Sequence, residues 1–287
     1  MERTSGAACA ALLLVSCTGG GLSINPKSGY VSVLSDHLIF NGMIFDDASA
    51  SAQFGLRRDA AIVRCATRST FGPCTLYSSC STPDLDGGVF VDAGVAMPDA
   101  GQITIVGPLL TQVLRPDTFT PYMDDHPGQR MWTGGDSISI SAAGGTVPAF
   151  QGIITGPPEI TFTAPAITHS NPSNGLPVVT LSIDRSKDLA FTWSKTSKAQ
   201  IRVGLTGPAT QTTEPGAELD CSFDGAAAMA TIPSSALQAM PAGMGGFVIT
   251  AFNSDDVRAG DWSITLSAES VANAPDGAPL GGTAVFN

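Results

Sequence analysis

The sequence predicts an all-β protein with enough apolar residues for one large core or two modest ones. Short runs of alternating apolar and polar residues recur along the chain, and 32 glycines and 20 prolines separate them in 287 residues. Hydrophobic residues make up 43% of the chain and charged residues 14%, a composition typical of a folded body. No helical periodicity extends beyond about two turns. We therefore expect β-sandwich architecture.

Twelve runs show the period-two pattern of half-buried strands. In the first half of the chain they are residues 30–40, 60–66, 89–95, 102–106, 137–142 and 160–163. In the second half they are residues 178–183, 189–193, 200–205, 218–223, 247–252 and 262–268. The best candidate for a short helix is residues 234–240, which lie between Pro233 and Pro241.

A stretch near the middle of the chain is too rich in breakers to form a central strand. Residues 163–177 contain Pro165, Pro172, Pro177, Asn171, Asn174 and Gly175. We predict an N-terminal β-domain over residues 27–165, a linker over 166–177 and a C-terminal β-sandwich domain over 178–287. Both are expected to be sandwiches of Ig-like or jelly-roll-like architecture, although no Cys precedes Trp193 at the position that a true immunoglobulin domain requires.

The amino terminus has the features of an export signal. Residues 7–16 are ten small or apolar residues, the length of a secretory apolar region and half of the roughly 20 that span a membrane. They end in Leu14-Val15-Ser16-Cys17, which resembles the lipobox of bacterial lipoprotein signal peptides. The resemblance implies removal of residues 1–16, lipidation of Cys17 and a tether over residues 17–26. The alternative is an ordinary cleaved signal with a chance cysteine.

The resemblance also predicts a location. Thr18, not Asp, follows the cysteine, which favours the outer membrane over retention in the inner membrane. Two or three acyl chains hold a protein firmly at a bilayer, so the membrane is an expected partner through the lipid anchor. A formal net charge of −11 argues against sequence-independent binding to nucleic acid, because phosphate contacts require a surplus of Lys and Arg.

The remaining cysteines predict two disulfides. With Cys9 removed and Cys17 lipidated, Cys65, Cys74, Cys80 and Cys221 remain, an even number suited to an oxidising compartment. Three connectivities are open. Residues 69–72 are a candidate hairpin turn that would pair Cys65 with Cys74 and leave Cys80 for Cys221. A zinc site is the competing interpretation, but the spacings are not CxxC and no His is near.

Motifs for common catalytic chemistry are absent from the sequence, including GxSxG, HExxH, the Walker loop and paired CxxC. No cofactor is predicted. The most suggestive polar cluster is Asp124-Asp125-His126, on a predicted loop over residues 121–130. Oxygen-rich loops bind calcium, but the EF-hand spacing is missing, so these residues are weak metal candidates beside the simpler interpretation of an exposed acidic loop.

Carbohydrate binding is the functional specialisation that the aromatic residues suggest. Trp193 follows a strand pattern and is expected in a core, whereas Trp132 and Trp262 adjoin Gly-Asp turns and are candidates for a sugar-binding platform. A core or strand-end role is the simpler interpretation of both.

Two longer segments resemble uncharacterised secreted lipoproteins of soil deltaproteobacteria. They are residues 139–150, SISAAGGTVPAF, and residues 184–193, DRSKDLAFTW. The resemblance implies a sandwich-like lipoprotein and supplies no catalytic residues. We therefore expect a lipid-anchored envelope or surface protein with a non-catalytic binding or structural role and a protein or glycan partner. The alternative is a carbohydrate-binding or hydrolytic protein that acts on envelope polymers.

Overall fold

The computed structural model describes residues 27–40, 42–54, 64–81, 98–116, 122–170, 177–194, 196, 199–208 and 216–287. The predicted signal peptide and tether, Cys17 among them, lie outside these residues, as does the predicted strand 89–95. The described chain is nearly all β with several sheets, which confirms the predicted all-β, sandwich-like fold class.

Among the described residues, ten strands precede the predicted linker. They are β1 (Ser28–Phe40), β2 (Met43–Phe54), β3 (Arg64–Phe71), β4 (Cys74–Ser81), β5 (Ile103–Val106), β6 (Thr111–Leu114), β7 (Tyr122–Pro127), β8 (Ser137–Ala142), β9 (Phe150–Thr155) and β10 (Phe162–Ala164). The alternation that predicted β8 is visible in its burial, because every second residue of SISISA is buried.

Nine strands and one α-helix follow among the described residues. They are β11 (Thr168–Ser170), β12 (Val178–Ile183), β13 (Leu189–Trp193), β14 (Gln200–Thr206), β15 (Gly216–Asp224), β16 (Met229–Ile232), α1 (Ser234–Ala239), β17 (Gly243–Ala259), β18 (Trp262–Val271) and β19 (Gly281–Phe286). The predicted helix is thereby confirmed. Its first amide, from Ser234, donates to Asp188 Oδ1 at 2.7 Å, which satisfies one of the donors that a helix start leaves open.

The largest sheet has twelve strands. Its main path runs β3-β4-β15-β14-β17-β18-β1-β2-β7, with β19, β12 and β11 branching from β17. The branch arises because β17 is 17 residues long. One edge of β17 pairs with β14, while its other edge pairs first with β19 and then with β18.

Two smaller sheets cover the large one and enclose two cores. The sheet β6-β5-β8-β9 contributes Ile103, Ile105, Ile138 and Ile140 to the first core, where they join Val31, Val33 and Leu266. The sheet β10-β13-β16 contributes Phe162, Phe191 and Trp193 to the second core, where they join Leu181, Ile201, Val203 and Ile249. Both cores use the same face of β17, because Ile249 and Ala251 line the second core and Ala259 the first.

Strands from both sides of the predicted linker share the large sheet. β1 pairs in parallel with β18, and β4 pairs antiparallel with β15. The linker segment itself contains β11, an edge strand paired with β12, while residues 171–176 lie outside the described part. The large sheet thus joins the two predicted segments. That residues 27–165 and 178–287 fold as separate units stays a prediction.

Candidate functional site

The predicted acidic cluster lies on a strand instead of a loop. Residues 122–127 form β7, which pairs with β2 at the edge of the large sheet. Asp124 and His126 lie on one side of this strand with Oδ2 and Nε2 3.0 Å apart, whereas Asp125 alternates to the other side. The extended backbone therefore separates Asp125 from the Asp124-His126 pair. Among the residues that the model describes, no group of three metal-ligating side chains is found.

All three tryptophans are buried, which contradicts the hypothesis of a sugar platform on Trp132 and Trp262. Trp132 is 4% exposed and its Nε1 donates to the Pro157 carbonyl at 3.2 Å. Trp262 packs against Phe54 in the first core. Trp193 lies in the second core, as predicted, and donates to the Gly225 carbonyl at 3.0 Å. Adjacent Gly-Asp turns indicated exposure wrongly, because each ring folds back under a covering sheet.

A disulfide joins Cys74 of β4 to Cys221 of β15, across the large sheet. Of the three connectivities left open, the one suggested by the candidate turn, Cys65 with Cys74 and Cys80 with Cys221, is therefore wrong. The reason is the hairpin register: the turn at Gly72 and Pro73 places Phe71 opposite Cys74 and Cys65 opposite Cys80. The backbone positions of Cys65 and Cys80 are thus paired in the register of the β3-β4 ladder.

The polar face of the large sheet, opposite the two cores, carries a network centred on Arg202. The guanidinium bonds both carboxylate oxygens of Asp220, at 3.1 and 3.2 Å, and Glu269 lies 3.7 Å away. Glu269 also accepts from the hydroxyls of Tyr30 and Ser267. Burial raises the pKa of Glu269, although Arg202 opposes the shift. Because these partners satisfy one another, the network is suited to holding strands together.

Two further carboxyls are protonated more readily than usual. Burial raises the pKa of Asp36 to about 7. The Val271 amide donates a hydrogen bond to Asp36 Oδ1 at 2.7 Å, which lowers the pKa but does not offset the effect of burial. Burial also raises the pKa of Glu218 to about 7, with a further contribution from Asp220. Asp36 is nearly inaccessible, at 4% exposure, so its protonation bears on stability and not on contact with a ligand.

An apolar cavity of about 300 Å³ lies at the edge of the second core and opens to solvent. Its floor consists of six buried side chains that come from four strands and one loop. They are Phe162, Leu181, Phe191, Phe247, Ile249 and Leu280. The segment from β10 to β11 forms one wall, with Ala164, Pro165 and Ile167, and the loop before β19 forms the other. A volume of this size is at the lower end of ligand-binding pockets in proteins.

The mouth of the cavity holds a pair of polar side chains. His169 Nε2 lies 3.2 Å from Asp276 Oδ2, and both residues line the opening. The edge of the Phe40 ring packs against His169, with ring centroids 5.8 Å apart. Gly277 lies so close to the Ile39 carbonyl that any side chain there would collide with it. The tip of the β1-β2 hairpin therefore supports the mouth.

Sequence reasoning missed this site because its residues share no motif. The run at residues 160–163 was interpreted as a strand, and Pro165 as part of the breaker-rich stretch beside the linker. His169 appeared isolated, since its partner Asp276 is 107 positions further along the chain. The other two histidines also pair with carboxylates, His37 with Asp46 and His126 with Asp124, so no pattern in the chain distinguishes the histidine at the cavity.

No protein-family model matches the chain, and no curated protein matches it significantly. Within the described ranges, no helix combines the length and apolar character needed to cross a membrane.

Proposed function

We propose that this protein is a lipid-anchored, non-catalytic binding protein of the bacterial envelope, and that the cavity beside β10 is its ligand-binding site. The observation that supports the binding role most directly is the cavity itself, which has an apolar floor and the polar side chains of His169 and Asp276 at its mouth. Binding sites for small molecules have this composition, since apolar walls supply affinity and a few polar groups set orientation.

The surroundings of the His169-Asp276 pair favour binding over catalysis. A hydrolytic His-Asp pair acts on a nearby nucleophile, and the hydroxyl that lines this cavity belongs to Thr163. That hydroxyl lies 2.8 Å from the Thr192 hydroxyl and is engaged there. Among the described lining residues, no Ser or Cys accompanies the histidine. The pair is thus suited to hydrogen bonding with a ligand.

A fluorescence titration tests the binding site. Trp193 packs on Phe162, which lines the cavity, so the W132F/W262F variant retains one tryptophan that reports on occupancy. We expect saturable changes in its emission with apolar molecules of up to a dozen non-hydrogen atoms, such as indole or 1-octanol. Ala274→Leu, which adds bulk at a buried lining position, should weaken binding about tenfold or more.

The control for that titration is Met229→Leu, at an exposed position outside the cavity. It should bind like the parent protein. Absence of saturable binding by every compound, or equal binding by Ala274→Leu, would contradict the proposed site.

Metabolic labelling tests the anchor separately. Cys17→Ser should abolish incorporation of labelled palmitate and release the protein from membranes, because the acylated thiol is lost. Cys9→Ser is the matched control, since residue 9 lies in the segment that is removed, and it should label normally. Mass spectrometry that finds an unmodified residue 17 at the mature amino terminus would refute the lipid anchor and leave the cavity hypothesis intact.

A further inference from the structure

The cavity has features that select among ligands, and the selection described here rests on the proposed binding function. We infer that it takes single-chain amphiphiles that have a short hydrocarbon end and an uncharged or cationic head, and that it discriminates against carboxylates. The hydrocarbon end occupies the apolar floor, and the head lies at Asp276.

The floor determines the size and chemistry of the inserted group. An apolar cavity of about 150 Å³ accommodates benzene, so a volume of about 300 Å³ accommodates roughly twelve non-hydrogen atoms. Phe162, Phe191 and Phe247 line it together with aliphatic side chains, and none of these presents a polar side-chain atom. A single chain of about eight carbons fits this space, whereas the two chains of a membrane phospholipid exceed it.

The mouth determines the charge of the head. The Asp276 side chain is 47% exposed, its Oδ2 lies 3.2 Å from His169 Nε2, and its Oδ1 accepts a hydrogen bond from the Ala278 amide. A carboxylate has about four acceptor positions, so it retains capacity for a donor from the ligand. Pro165 and Pro275 also line the cavity, and neither has a backbone N–H to stabilise an anion. An alcohol or ammonium head can donate to Asp276, while a carboxylate head meets a like charge.

The position of Asp276 is fixed by its neighbours. The Ala278 bond anchors one carboxylate oxygen, and Gly277 between them packs against the Ile39 carbonyl at the hairpin tip. His169 is held in turn by Phe40. The charge at the mouth is thus part of an ordered rim, which makes it effective in discrimination.

A series with one chain and three heads tests the inference. Isothermal titration at pH 7.5 and low salt should show that 1-octanol and octylamine bind, and that octanoate binds about tenfold more weakly or not at all, the size expected of one like-charge contact. Among n-alcohols from butanol to dodecanol, affinity should rise about fourfold for each methylene and level off once the cavity is full.

The isosteric change Asp276→Asn should reduce the discrimination between octanol and octanoate to threefold or less, because the charge is removed while an acceptor remains for the Ala278 amide. Asp261→Asn is the matched control: it changes net charge equally, at an exposed position paired with Lys27 and outside the cavity, and should leave the discrimination intact. Thermal unfolding of both variants checks that they are folded.

The outcomes separate the two proposals. If none of the three compounds binds, the proposed function is wrong as well. If octanoate binds as well as octanol, or if Asp276→Asn retains the full discrimination, the head-group inference is wrong and the binding site stands.

Discussion

The Asp36 side chain makes the stability of the protein depend on pH. Its pKa is raised to about 7 in the folded protein, above the ordinary value of 3.8 that applies to the unfolded chain. Between about pH 4 and pH 7 the folded state therefore binds more protons than the unfolded state. The contribution of Asp36 to the free energy of unfolding consequently falls as the pH rises through this range, and is constant above it.

Asp36→Asn should remove that dependence. Asparagine has the shape of the protonated acid and still offers Oδ1 to the Val271 amide, so the variant should be about 1–3 kcal/mol more stable than the parent at pH 8. At pH 4 the two should be nearly equal. Urea unfolding at both values measures the difference, and equal destabilisation at both would refute the argument. Glu218→Gln serves as a comparison, because the pKa of the Glu218 carboxyl is raised in the same direction.

Individual residues were predicted well where local pattern determines their environment. Trp193, in an alternating strand, lies in the core as expected. Pairings between distant residues were not predictable: His169 and Asp276 meet because β11 and the loop before β19 both flank the same cavity. The metal candidates do not come together as a set of three, because a strand forms where a loop was expected and places Asp125 on the opposite side from Asp124 and His126. Residue spacing alone contains no information on such contacts.

Strands were predictable in proportion to their content of branched and aromatic residues. The bounds predicted for β8, β12 and β13 match those of the structure. By contrast β2 was missed, although it is twelve residues long, because its inward positions near the end are Ala48, Ala50, Ala52 and Phe54, alternating with serine and glutamine. Alanine and serine are poor strand formers by propensity, and here the pairing of β2 with β1 over its whole length outweighs that preference.

The disulfide between β4 and β15 is a covalent constraint between two elements that are distant in the sequence. It closes a sequence separation of 147 residues, for which loss of chain entropy in the unfolded state gives roughly 5 kcal/mol. We expect the Cys74→Ala/Cys221→Ala variant to lose about 3–5 kcal/mol in free energy of unfolding, measured by urea denaturation.

Cys65→Ala/Cys80→Ala is the matched comparison on the same hairpin. If Cys65 and Cys80 are also joined by a disulfide, the loop that this bond closes is far shorter. Removal of that bond should then cost less free energy of unfolding than removal of the Cys74-Cys221 bond. Alkylation of the unreduced, denatured protein counts the free thiols directly. Equal stability of the Cys74→Ala/Cys221→Ala variant and the parent would contradict the expected role of that bond.

At the scale of the molecule, composition predicted the class of fold but not the way in which its parts are joined. Many short apolar runs between breakers indicated sandwiches, and two cores are present. The connection between them depends on β17, whose first half borders one core and whose end borders the other. No sequence signal distinguishes a strand that spans two cores from two strands in separate domains, because both have the same alternation.

The position of β1 has a mechanical consequence. It is the first described strand after the proposed tether, and it lies between β18 and β2, with seven residue pairs on one side and twelve on the other. A pull on the amino terminus along the axis of β1 loads these two ladders in shear, so that many hydrogen bonds must break together instead of peeling apart one by one. Resistance to such a force is governed by the unfolding rate, not by the equilibrium free energy. An anchored protein of this design would withstand drag on its membrane attachment while its thermodynamic stability remained ordinary.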